Sequence, residues 1–262
     1  MATIKYTKTK TAQPKKPFTF YIAVSIGLVA WVWLCVYASQ FLLGYVFKWL
    51  ISVFQLNAGT ILQSIYEIFV YALAVLMMLG IPILLCKHFK PLASHPLFEK
   101  PSREELGLTG LPSWTDILLG PIGFVVQLVL GAVVVKLFDL IFPWFNAAET
   151  QNVGYSELRL APTGDKILAF IVIAVVAPIL EEFIFRGFLY GRLRKYLAMP
   201  IAIILTALLF AILHGQWNVA VNVFVTSVVL CALREITGTI YAGILVHILK
   251  NAVAFFLLFI VA

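Results

Sequence analysis

Apolar positions along the chain fall into long blocks broken by short polar interruptions, without strand-like alternation or a narrow helical stripe. A helix needs about 20 mainly apolar residues to cross hydrocarbon. Seven blocks are read as candidate spans: residues 18–39, 60–86, 117–142, a fourth from 167 through the charged run at 181–186, 201–214, 219–233 and 239–261, of which 201–214 and 219–233 fall short of that length and are bounded by short connections. Residues 40–56 stay apolar but contain Lys48, Trp49 and Gln55. They predict either an interfacial helix or the continuation of a long tilted span. Residues 87–116 hold Pro91, Pro96, Pro101 and Pro112 and predict an irregular loop with one interfacial turn. Residues 143–166 predict a polar loop on the opposite side. Trp31, Trp33, Trp114 and Trp144, near block ends, read as interface anchors.

Composition narrows the class. Of 262 residues, 62% are hydrophobic and 12% charged, against roughly 45–50% and about 25% in soluble domains. Mean hydropathy is +1.01. A water-soluble enzyme of this size has too little interior for so much apolar surface. Soluble Rossmann domains, barrels and nucleic-acid modules are excluded, and the net charge of +7 does not imply a nucleic-acid partner. The expected fold is an all-α, polytopic integral membrane bundle in contact with the lipid bilayer. Its expected organisation is a basic tail (1–17), N-terminal transmembrane helices (18–142), an external loop (143–166) and a C-terminal transmembrane region (167–262). Cys35, Cys86 and Cys231 show no metal-ligand spacing and read as small membrane-buried residues.

Charge placement gives an orientation. With the lysine-rich N-terminus inside, the cytoplasmic segments hold thirteen Lys and Arg residues, including Lys87, Lys90, Lys100, Arg103, Arg192, Arg194, Lys195 and Arg234. The opposite side holds only Lys48, Arg159 and Lys166. That is a positive-inside pattern, and an extra crossing in residues 40–56 would destroy it. The first apolar block exceeds a usual signal-peptide core and lacks a convincing small-residue cleavage site, so it reads as an uncleaved span. The short loops and basic tail suit a bacterial inner membrane.

The informative residues are those that hydrocarbon should exclude. Glu181, Glu182 and Arg186 lie on the fourth block, His214 ends the fifth, and His247, Lys250 and Asn251 lie on the seventh. Glu182 and Arg186 are i and i+4 and can pair along one face. That pair reads either as support for a site or as architecture alone. Glu181 points about 100° away, toward another helix. His247 and Asn251 share a face, whereas Lys250 is expected to point elsewhere. Glu67 has no evident partner. Measured from the predicted cytoplasmic boundaries at 1.5 Å per residue, Glu181, His214 and Asn251 lie about 20 Å deep and His247 about 14 Å. The four can converge. Glu181 can then accept a proton from water with His214 assisting, while His247 and Asn251 can donate to a developing oxyanion. Those parts suffice to hydrolyse a peptide bond.

The runs Glu181-Glu182-Phe-Ile-Phe185-Arg186-Gly187, Phe210-Ala-Ile-Leu-His214 and His247-Ile-Leu-Lys-Asn251 resemble the three motifs of the CPBP family. These are the CAAX-processing and bacteriocin-processing intramembrane glutamic endopeptidases, also called the Abi family. The resemblance covers roughly residues 167–261. It implies seven to eight helices around a polar intramembrane cavity open toward the cytosol, the eighth supplied by an interfacial helix in residues 40–56. It further implies Glu181 as the water-activating carboxylate, His214 as its assistant, His247 and Asn251 as the oxyanion hole, and Glu182 and Arg186 as support. No cofactor is implied. The substrate implied is a membrane-associated or prenylated peptide or protein. Three rival readings use the same residues: a zinc-dependent membrane protease, a proton-coupled transporter, and a non-catalytic membrane immunity or interaction protein.

Overall fold

A computed structural model describes residues 16–57, 59–91, 95–147, 155 and 158–261. Seven main helices are described: α1 (Phe18–Phe54), α2 (Thr60–His88), α3 (Trp114–Ile141), α4 (Thr163–Tyr196), α5 (Met199–Ile212), α6 (Trp217–Thr237) and α7 (Tyr241–Val261). All except α5 are long and apolar enough to cross a membrane by length and composition. The chain is an all-α polytopic bundle. At 14 residues α5 is only about 21 Å long, so its C-terminal end and His214 stop within the bundle.

Each helix turns where its sequence permits. α3 opens with a capping box in which Ser113 Oγ accepts from Asp116 N and Ser113 N donates to Asp116 Oδ2 at 2.8 Å. Asp116 also accepts from Thr239, tying the start of α3 to the α6–α7 turn. α6 ends on Gly238 at φ 74°, where a side chain would be strained. Pro82 lies inside α2 and cannot donate to Met78, four residues earlier. The Trp31 indole from α1 donates to that carbonyl at 3.3 Å. Trp31 therefore packs against α2 and does not sit as an interface anchor.

α4 is the central helix. Its Ile184, Phe188 and Leu189 join Leu28 of α1, Met78 of α2, Phe210 of α5 and Cys231 of α6 in one buried cluster. α3 packs against α6 and α7 on the other side. Large apolar side chains such as Leu118, Val125 and Val129 of α3 stay exposed, as a lipid-facing surface requires.

Two expectations change. The eighth, interfacial helix implied by the resemblance does not form in residues 40–54, and the alternative of a continued span holds: α1 runs unbroken for 37 residues, about 56 Å, and ends at Gln55 in the left-handed region. Lys48 lies within the helix without breaking it, and Gln55 terminates it. The second change concerns the proline-rich loop, which forms a cap on the bundle. Arg192 donates to the Pro96 carbonyl at 2.7 Å, Arg234 to the Glu104 carbonyl at 2.8 Å, and Ile240 N to the Gly107 carbonyl at 3.2 Å. Gly191 makes the contact possible, since a Cβ there would stand 2.0 Å from the Glu105 carbonyl oxygen. Residues 92–94, most of the expected basic tail and much of the expected 143–166 loop lie outside the described residues.

Candidate active site

The backbone of α4 is irregular where the site is built. It has π-helical turns at Ile171–Val176 and Phe183–Tyr190, on either side of Glu181 and Glu182. Ala177 N donates to the Val172 carbonyl, five residues back. In that register the Ile173 carbonyl would receive from residue 178, which is a proline without an N–H. The Asn251 side chain of α7 supplies the donor instead, at 3.1 Å. One of the two Asn251 N–H groups is thereby committed, and the amide is held in one orientation.

Glu182 and Arg186 lie behind the cavity, both fully buried, with Nη1 to Oε1 at 2.8 Å. Glu182 does more than pair along its own helix. Its Oε1 also lies 2.9 Å from Nδ1 of buried His247. Gly243, one turn before His247, leaves the room: a Cβ there would be 2.9 Å from Glu182 Oε2. The other imidazole nitrogen, Nε2, faces Glu181 Oε2 at 3.5 Å. His247 therefore bridges the two adjacent glutamates, one buried and the other lining a cavity.

That cavity is about 360 Å³ and is lined by Glu181, His214, His247 and Asn251 together, along with Tyr71, Glu67, Gln63 and Lys250. The side chain of Glu181 keeps 14% exposure. Its Oε1 accepts from the Tyr71 hydroxyl of α2. His214 Nδ1 donates to the Phe210 carbonyl at 2.8 Å, which leaves Nε2 as the acceptor. Phe210 stands among these groups: the Arg186 guanidinium lies 4.4 Å above its ring, and both histidines meet it edge-on.

Several of these contacts were not evident from the sequence. Tyr71 looks like an ordinary apolar-span residue, and nothing in the sequence singles it out. Glu67 has a partner, because Gln63 donates to it at 3.2 Å; residues 63, 67 and 71 form one i, i+4 stripe toward Glu181. Tyr155 caps this stripe through Ser64, and burial, followed by the charge of Glu67, pushes its phenol above the usual range. Lys250 does not turn away; it lines the same cavity. The cavity climbs from Glu181 toward the start of α2 and α4 and the end of α7, the end opposite the proline-rich cap. An opening toward the cytosol and the orientation given by the charge count therefore conflict. Among the described residues, no group of three or more His, Cys, Asp or Glu side chains is gathered as metal ligands.

The arrangement offers a carboxylate with two neighbours, an imidazole acceptor and an anchored amide around a space large enough for a peptide segment. No curated protein and no solved structure matches the chain. Residues 163–253, about a third of the chain, match a family model described as type II CAAX prenyl endopeptidase Rce1-like. The matched stretch starts at the beginning of α4 and contains all three motifs, and over it the chain is similar to that family.

Proposed function

We propose that this protein is an intramembrane endopeptidase of the CPBP type, hydrolysing a peptide bond in a membrane-associated or prenylated protein substrate. Water bound between Glu181 and His214 Nε2 gives up a proton to Glu181 as its oxygen attacks the scissile carbonyl. The Tyr71 hydroxyl fixes the orientation of the carboxylate. The free N–H of Asn251 donates to the oxyanion, and His247 Nε2 does so in its doubly protonated form, with Nδ1–H given to Glu182. Collapse of the tetrahedral intermediate returns the proton to the leaving amine. Arg186 and Glu182 position His247 and do not meet substrate. The organisation proposed is an N-terminal helical part (18–142) supporting a catalytic part (167–262), with 143–166 outside.

The observation that carries the reading is the alignment of Glu181, His214, His247 and Asn251 on one cavity wall set, with both motif glutamates bridged by His247. The experiment is cleavage-product mass spectrometry of purified protein against a membrane-peptide library, with Glu181→Gln as the comparison. Discrete internal cleavage products lost in Glu181→Gln are expected. Equal products from both proteins would show the cluster to be non-hydrolytic.

A further inference from the structure

The cavity has a direction. On α2 its wall runs from Gln63 to Tyr71 and stops; on α4 it runs from Ile173 to Glu181; on α7 it begins at His247 and continues to Phe259. Each stretch lies between the Glu181–His247 level and one end of the bundle, where α2 and α4 begin and α7 finishes. Glu181 and His247 form its floor.

The other end is closed by packed protein. Below the floor lie Glu182, Phe185, Arg186 and Phe188, all buried. Beneath them the proline-rich loop presses its backbone against α4: a Cβ on Gly187 would meet the Leu106 carbonyl oxygen at 3.1 Å, and one on Gly191 would overlap that of Glu105. Arg192, with Glu105 and Lys195 alongside, and Arg234 lock the loop in place. Opening this end would expose a buried Arg–Glu pair and break several charge-assisted bonds.

Charge distinguishes the two ends in the same way as the cavity. The closed end carries Lys16, Lys87, Lys90, Lys100, Arg103, Arg192, Arg194, Lys195 and Arg234; the open end carries Lys48, Lys136, Arg159 and Lys166. Basic residues are retained on the cytoplasmic side. The sealed end is therefore cytoplasmic and the open one is not.

We infer that substrate reaches Glu181 from the non-cytoplasmic side. The substrate class is then a membrane-anchored peptide whose scissile segment lies at that outer face, and a prenylated C-terminus presented from the cytosol is not the substrate. This rests on the endopeptidase reading above. Entry from outside places Gln63, Tyr66 and Leu258 at the mouth and Glu67 along the path, a carboxylate to meet a basic residue of the peptide.

The test uses full-length protein with Cys35, Cys86 and Cys231 replaced by alanine, carrying Gln63→Cys at the mouth or Arg103→Cys on the exposed cap. Intact cells are treated with a charged, membrane-impermeant maleimide. Labelling of Gln63→Cys without permeabilisation, and of Arg103→Cys only after it, is expected. In right-side-out vesicles the same label on Gln63→Cys should abolish cleavage of externally added peptide. Leu258→Cys serves as a second reporter of the mouth if Gln63→Cys does not fold. The reverse labelling pattern, with hydrolysis intact in detergent, overturns the outer route alone. The expected labelling with no hydrolysis by the parent protein in detergent overturns the endopeptidase reading, and the substrate class with it.

Discussion

Replacing Glu182 with alanine tests whether the bridge between the motif glutamates is a structural keystone. The carboxylate is fully buried and serves two groups through one oxygen, Arg186 at 2.8 Å and His247 at 2.9 Å. Removing it leaves a guanidinium with no solvent exposure and without its carboxylate partner. Breaking such a pair destabilises by about 3–5 kcal/mol, roughly 10²–10⁴ in the folded-to-unfolded ratio. The Phe210 ring stays under Arg186 in both proteins, so it leaves the difference unchanged, and a loss of about 3–5 kcal/mol is expected. Reversible unfolding in mixed micelles with rising SDS fraction measures it. The paired change Glu182→Leu with Arg186→Met should restore most of the stability, because apolar groups of similar volume replace both charges. Hydrolysis should stay low in both proteins, since His247 has lost the acceptor that fixes its ring. If Glu182→Ala unfolds within about 1 kcal/mol of the parent, a margin typical of exposed pairs, the buried-bridge argument is wrong. If the double variant is stable and fully active, the positioning role of Glu182 is wrong.

Asn251→Ala removes an oxyanion donor, so kcat should fall by roughly 10²–10³ with a smaller change in KM; steady-state kinetics on a defined peptide would refute the role by finding kcat unchanged. Gly191→Ala places a methyl on the Glu105 carbonyl, so the proline-rich cap should lift and its amides exchange hydrogen faster; unchanged protection of residues 104–107 would contradict the tight contact. Hydrolysis should persist after treatment with a divalent-metal chelator and dialysis, because the proposed water is held by side chains alone. Loss of activity with recovery at one equivalent of zinc would favour a metalloprotease.

The bundle was legible because lipid imposes a coarse rule on composition: each block of the hydropathy pattern became a helix, and only the ends moved. Hydropathy reports environment and says nothing about backbone continuity, so the change of character after residue 39 fitted either a second, interfacial element or one long span, and α1 is the long span. The Glu182–Arg186 pair could be read from i, i+4 spacing. The contact of Glu182 with His247 could not, because it joins helices 65 residues apart and depends on the space beside Gly243. Tyr71 was hidden for a similar reason, since a tyrosine among apolar neighbours carries no mark of the carboxylate it meets across a helix interface. The direction of the cavity follows from where helices separate, which a linear pattern of apolar residues does not encode.

Pro178 has a consequence for anyone seeking a sturdier variant. Alanine at this position would give α4 an N–H to close its own ladder, and by helix propensity alone the exchange looks like an improvement. Yet the Ile173 carbonyl would then have a partner within its own helix, and the amide of Asn251 would lose the tether that aims it. Here regularity and activity pull in opposite directions. Selection for thermal endurance alone would drift toward a straighter, quieter helix, so a screen on this scaffold has to score turnover alongside melting.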